Sequence, residues 1–343
     1  MSALRDVLSP AVKRSLYASG ALDAWHRRRN RDRLTVVMFH RVIARSDPRW
    51  PVSDPEYTLP EDLFASTLPF FRRHYHVVSL EQVLDARAGG AALPERPALL
   101  TFDDGWSDNE EFALPHLRRA GMPGVMFVAG AAVGRDAPFW QEQLVHAWRA
   151  GRLDAAGLAR LWRAAGPAGE PPPPAGRDEL GGLRAAIARL ERLEAGPREA
   201  ALATVEGALR DPTRHMVTPA QLRALADGGV ALGAHGFSHE PLVRVDAAAE
   251  LARVRDLLAS HAPAAPALSF PHGRHDARVI ALAHAAGFSL LFTSVPELPS
   301  ARGRGPGVLG RVGFTSGTIC DAAGRFAPER LALHLFRKPH AAA

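Results

Sequence analysis

The chain has 343 residues, 47% of them hydrophobic and 23% charged, which suits a soluble globular protein with a sizeable core. A single cysteine, Cys320, excludes a disulfide scaffold, and the sequence holds no uncharged apolar run of the ~18 residues that a membrane span needs. With no charged-then-apolar leader at the start, the expected compartment is the reducing cytoplasm, and the net charge of +6 favours anionic neighbours such as phospholipid or phosphorylated sugars. No interleaved aromatic and basic motif points to nucleic acid, so none is expected as a partner.

Residues 1–33 stand apart. Leu4, Leu8, Val12 and Leu16 recur at four-residue spacing, with Pro10 interrupting them, and a basic run follows from His26 to Arg33. The segment reads either as a foot on an anionic membrane surface or as a capping helix with a solvated linker.

From Leu34 the pattern changes to short apolar runs rich in β-branched residues, alternating with helical stretches. The runs are Leu34–Phe39, His76–Ser79, Ala98–Phe102, Gly124–Ala129, Val230–Gly233, Ala267–Phe270, Phe288–Thr293 and Val308–Val312. Such alternation predicts an α/β fold of β-α units around a parallel sheet, and about seven or eight such strands favour a closed or nearly closed barrel over an open sheet. One helix announces its start, with Thr218 as N-cap, Pro219 at the first position and Gln221 closing a capping box.

Two stretches, 34–138 and 216–315, carry the barrel. Between them, residues 139–215 lose the strand signal and read as a helical insertion with an elbow at Gly166–Gly176 that contains Pro171–Pro174. Trp140, Trp148 and Trp162 are either core residues or the stacking faces of a substrate wall. Residues 316–343 read as a C-terminal helix and tail.

Four strand ends carry chemistry. Thr101-Phe102-Asp103-Asp104-Gly105 runs an apolar strand into two adjacent carboxylates, whose side chains point in different directions, so that one can bind a metal while the other handles protons; a helix-capping turn is the plainer alternative. In His235-Gly236-Phe237-Ser238-His239 two imidazoles four residues apart can share one metal. Ser269-Phe270-Pro271-His272-Gly273 forms a tight loop suited to an oxyanion hole or the wall of an acyl pocket, or simply a connecting turn. The fourth is His40 in Phe39-His40-Arg41-Val42, which alone would read as a hydrogen-bonded core residue.

Together these motifs resemble the polysaccharide deacetylases, the NodB-homology domains of carbohydrate esterase family 4, over roughly Leu34 to Val312. The resemblance implies a distorted, NodB-like (β/α) barrel of about seven strands with a helical insertion, and metal-dependent removal of acetyl groups from N-acetylhexosamine units of a polysaccharide or lipid-linked glycan precursor. It implies Asp103 as catalytic base and Asp104, His235 and His239 as ligands of one divalent cation, usually zinc, although such a donor set also accepts cobalt, nickel or iron. Pro271, His272 and Gly273 would line the substrate and oxyanion side.

Two departures from the common pattern stand out. The third motif carries Ser269 where an Arg that steadies the base is usual, and Arg311 is the candidate substitute. The usual C-terminal Leu-His-Asp motif is absent, and His334 lies in an ordinary helical sequence. Branches with a permuted arrangement carry the acid on the first strand, which makes His40 the expected proton donor. The competing reading is a metal-free or catalytically weak carbohydrate-binding or assembly protein on the same fold. An anionic membrane surface met through residues 1–33, at the inner face of the membrane, is the expected secondary contact.

Overall fold

The computed structural model describes residues 9–166, 180–261 and 263–340. Leu4, Leu8 and the Pro171–Pro174 elbow lie outside these described residues. The chain divides into two compact units, one formed by residues 1–44, 55–135 and 216–343, the other by 45–54 and 136–215.

The first unit is built on parallel strands: β1 (Thr35–Phe39), β2 (Arg41–Ile43), β3 (Thr58–Pro60), β4 (His76–Val77), β5 (Pro97–Phe102), β6 (Gly124–Val128), β7 (Val230–Ala234), β8 (Ala264–Ser269), β9 (Leu290–Phe292), β10 (Gly307–Leu309) and β11 (Val312–Gly313). Nine of them form one sheet in the order β10-β9-β8-β7-β6-β5-β1-β11 with β4 beside β5, while β2 and β3 pair separately. Every residue of β5 and β6 is buried, as a parallel strand covered on both faces requires.

The run Val308–Val312, expected as one strand, is two. Gly310 and Arg311 separate β10, at one end of the sheet, from β11, at the other. Leu309 and Val312 are three residues apart and can be separated by no more than about 11 Å of extended chain. The sheet is therefore curled until its two ends approach at a seam, and Arg311 sits in that seam rather than on a strand.

Register aligns the strand ends. Phe39 pairs with Phe102, Val128 with Ala234, Ala234 with Leu268, and Ser269 with Phe292. Each of these strands runs the same way, so His40, Asp103, His235 and Phe270 all emerge at the carboxyl-terminal rim, where barrel chemistry sits.

The N-terminal segment forms two helices, Pro10–Ala18 and Ala21–Arg29. Pro10 does not sit inside a helix: it occupies the first turn behind Ser9, whose side chain accepts from Val12 N–H, and there its missing N–H costs nothing. His26 is fully buried and stacks on Phe336 at 3.9 Å, and Asn30 Nδ2 donates to the Phe336 carbonyl at 2.8 Å. These are the contacts of a cap on the barrel core. Thr218 and Gln221 form the expected reciprocal capping box, at 3.2 and 3.0 Å.

The second unit is helical, with helices Trp140–Arg149, Ala155–Ala164, Gly181–Leu190 and Ala195–Ala203 around their own apolar core. Trp162 is buried under the Arg189 guanidinium, 4.2 Å from its ring, and Trp140 and Trp148 pack against the same core. Of the two readings of these tryptophans, these contacts are those of core residues. Among the described residues no helix is long and apolar enough to cross a membrane.

Candidate active site

Asp103 and Asp104 follow β5 directly and part company at once. Asp104 has φ +78°, which turns its carboxylate away from that of its neighbour. Its Oδ1 lies 3.3 Å from His235 Nε2 and 3.1 Å from His239 Nε2, while Oδ2 accepts from Trp106 Nε1 at 2.9 Å. A tetrahedral ion with bonds near ~2.1 Å keeps its ligand atoms about 3.4 Å apart, so these three donors already hold the spacing that a zinc-like cation needs.

His235 is oriented for the same task. Its Nδ1 donates to the Ser269 carbonyl at 2.8 Å, which leaves Nε2 directed at Asp104; a backbone acceptor of this kind fixes the tautomer of a ligating imidazole. His239 reaches the site through a loop with φ +66° at its own position. That loop is pinned by Glu250, whose Oε2 accepts from Phe237 N–H at 2.8 Å, Ser238 N–H at 2.7 Å and Ser238 Oγ at 3.0 Å. From the other side, Gly130 and Ala131 donate to the Gly236 and Phe237 carbonyls, an approach so close that a Cβ on Gly130 would stand 2.5 Å from the Phe237 ring.

Asp103 has a different partner. Arg311 grips it through two bonds, Nη1 to Oδ1 at 2.7 Å and Nη2 to Oδ2 at 2.6 Å, with both side chains buried. The other guanidinium hydrogens go to Thr101 Oγ1, Ser269 Oγ and the Thr293 carbonyl, at 3.2, 2.8 and 3.3 Å. All five Arg donors are thus engaged. Ser269 is small enough to leave the guanidinium this space, and its hydroxyl lies 3.3 Å from Asp103 Oδ2.

The electrostatics follow from these partners. Burial alone would raise both carboxylates, but Arg311, then His235 and His40, hold Asp103 below the ordinary range, and His239, His235 and His40 hold Asp104 well below it. Burial would lower His235, yet the neighbouring Asp103 and Asp104 raise it instead. The pocket favours positive charge between its two carboxylates.

His40 closes the rim beside them. Its ring meets Tyr57 edge-on at 5.0 Å, and its carbonyl accepts from Asn109 Nδ2 at 2.8 Å. Arg41 next to it is fully buried, bonds Asp108 through Nε at 2.9 Å and Nη2 at 2.8 Å, and lies 4.1 Å from the Trp106 ring, which ties the His40 turn to the Asp103–Asp104 loop. A pocket of about 180 Å³ opens here, lined by His40, Glu56, Tyr57, Phe314 and Thr315 among others.

The remaining candidates are placed as follows. The Pro271–Gly273 turn flanks the His239 loop; Gly273 N–H is used on the Phe270 carbonyl at 2.9 Å, so the donor the turn offers is His272 N–H. The His272 ring lies 4.8 Å from that of His239, with Nε2 3.1 Å from the His239 carbonyl. His334 is outside the cluster, its Nε2 2.9 Å from the Gly313 carbonyl. Arg41, Asp108, Trp106 and Glu250 were not singled out from the sequence, where each passes as an ordinary helix or loop residue. Among the described residues only four non-glycine residues have positive φ, and Asp104, His239 and His272 are three of them; strain gathered this way marks a functional site.

A family model described as polysaccharide deacetylase matches residues 90–166, which include Asp103 and Asp104. Over that stretch the chain is similar to the polysaccharide deacetylases. YxkH of Bacillus subtilis (strain 168) is 23% identical over 122 residues, 35% of this chain and 40% of its own length. The fold is similar to that of the Streptococcus pyogenes deacetylase PplD, solved in complex with acetate, at TM-score 0.55 and 16% identity over 89% of this chain and 99% of that one. It is equally similar to IcaB from Ammonifex degensii, at TM-score 0.55 and 18% identity over 89% and 97%.

Proposed function

We propose that the protein is a metal-dependent hydrolase that removes N-acetyl groups from N-acetylhexosamine units of a polysaccharide or lipid-linked glycan precursor. The observation that carries this reading is the convergence of Asp104, His235 and His239 on one point at the strand rim, beside an Asp103 held ionised by Arg311. A divalent cation held by those three donors, zinc being the usual one, would supply Lewis-acid polarisation of the acyl group and a lowered pKa for bound water.

The protein groups divide the remaining work. Asp103 accepts the proton of the attacking water, since a carboxylate gripped by one guanidinium keeps lone pairs to spare. His272 N–H stands on the oxyanion side. His40, beside the two carboxylates at the rim, gives a proton to the departing amine. Arg311 filling the space above Ser269 supports a working site over a decayed one. Mass spectrometry of N-acetylated oligosaccharides and lipid-linked sugars incubated with the protein tests the reading; loss of an acetyl group is expected, and an unaltered panel with metal-loaded protein would overturn it.

The donor assignment has its own test. His40→Ala is expected to lower turnover by ~10²–10⁴-fold with an unchanged thermal midpoint, whereas His334→Ala, which breaks the contact to Gly313, should lower the midpoint first. If His272→Ala or His334→Ala loses more turnover than His40→Ala at matched metal content, the acid lies elsewhere.

The substrate carrier bears on location. We place the reaction at the cytoplasmic face of an anionic membrane, with exposed Val12 and Trp25 beside Arg27, Arg28 and Arg29 as the contact. The double variant Trp25→Ser/Arg28→Glu should co-sediment less with anionic vesicles at low salt. Equal co-sedimentation with wild type would remove the contact.

A further inference from the structure

We propose that His146, Asp211 and His215, in the helical unit, form a second divalent-cation site of the zinc class that ties the two ends of that unit together. One ligand-capable atom from each lies within 4.8 Å of the others, and both imidazoles are buried. The donor set, two imidazoles and one carboxylate, repeats that of Asp104, His235 and His239, although no strand rim or catalytic base accompanies it.

The local geometry is that of a site with supporting groups. The rings of His146 and His215 face each other at 4.5 Å with 41° between their planes, and Asp211 Oδ2 stands 3.8 Å from His215 Nε2. Glu142, one helical turn before His146, adds a second carboxylate to the neighbourhood, with Oε2 3.4 Å from His146 Nε2. Asp211 is itself held: Thr213 N–H donates to Oδ1 at 2.9 Å, and Arg152 Nη2 donates to Oδ2 at 3.0 Å. Ligating carboxylates are commonly bonded in this way, and a carboxylate oxygen has a second lone pair for an ion.

Topology agrees. His146 lies on the first helix of the unit and His215 is its last residue. A cation held by both closes the whole intervening chain into a loop, the arrangement in which a cross-link removes most entropy from the unfolded state, and its binding free energy becomes folding free energy.

The test uses the full chain with the first site removed. His235→Ala/His239→Ala protein, stripped with chelator and titrated with Co²⁺, is expected to bind one ion per chain where the wild type binds two, and its metal-edge X-ray absorption should show imidazole scattering. Adding Asp211→Asn and His215→Gln should abolish that remaining binding, with circular dichroism confirming the fold; if these substitutions unfold the chain, the absorption spectrum of the parent double variant decides alone. No bound ion in the double variant, an ion without imidazole scattering, or an ion retained by a folded quadruple variant would overturn the proposal. The readout is metal stoichiometry and not turnover, so it stands or falls separately from the deacetylase reading.

Discussion

Asp103→Asn is expected to reduce turnover by ~10²–10⁴-fold while the chain keeps its metal at the rim. The substitution nearly preserves shape, and Asp104, His235 and His239 are untouched, so the ion's donors remain. What disappears is the proposed proton acceptor and the negative charge that faces the Arg311 guanidinium. Removing one member of a buried ion pair leaves the other uncompensated, at a typical cost of about 3–5 kcal/mol; the Asn oxygen still accepts one bond from the guanidinium, and this places the variant toward the lower end. Turnover, metal content and denaturant unfolding measured on the same preparation separate these effects. Activity within a few-fold of wild type would move the base elsewhere, and loss of metal would mean that Asp103 belongs to the ligand set.

The sequence made the rim legible where a local pattern and a chemical need coincide. Thr101 to Gly105 and His235 to His239 each join an apolar strand to polar residues with nothing between, and the curled parallel sheet then brings them together by register alone. Partnerships across long stretches of chain leave no such mark. Arg41 and Asp108 look like surface charges, yet they form a fully buried pair 67 residues apart, and Glu250 reads as one more acidic residue in a helix. The run Val308–Val312 misled for a different reason. Its apolar residues are continuous in sequence, but periodicity cannot register that the chain leaves one sheet end at Leu309 and joins the other at Val312. That crossing is what delivers Arg311 to Asp103.

Exchanging the two residues that share this space gives the sharpest test of the seam. Arg311→Ser should destabilise the fold by about 3–5 kcal/mol, because it strands the Asp103 carboxylate in a buried site, and should lower turnover as far as Asp103→Asn does if orienting the base is the role of Arg311. Ser269→Arg alone places a second guanidinium beside the first, since Ser269 Oγ already lies 2.8 Å from Arg311 Nη2, and is expected to fold poorly for the opposite reason. The double variant Ser269→Arg/Arg311→Ser restores one guanidinium, now carried by β8, as in the common form of the family that the third motif resembles. Residues in direct contact are strongly non-additive, so the double variant should be more active than Arg311→Ser by at least about tenfold and more stable than either single variant. KM close to wild type with a recovered kcat would locate the effect in the base rather than in substrate binding. If the two single losses simply add, Arg311 does not act through Asp103, and its five hydrogen bonds serve the fold alone.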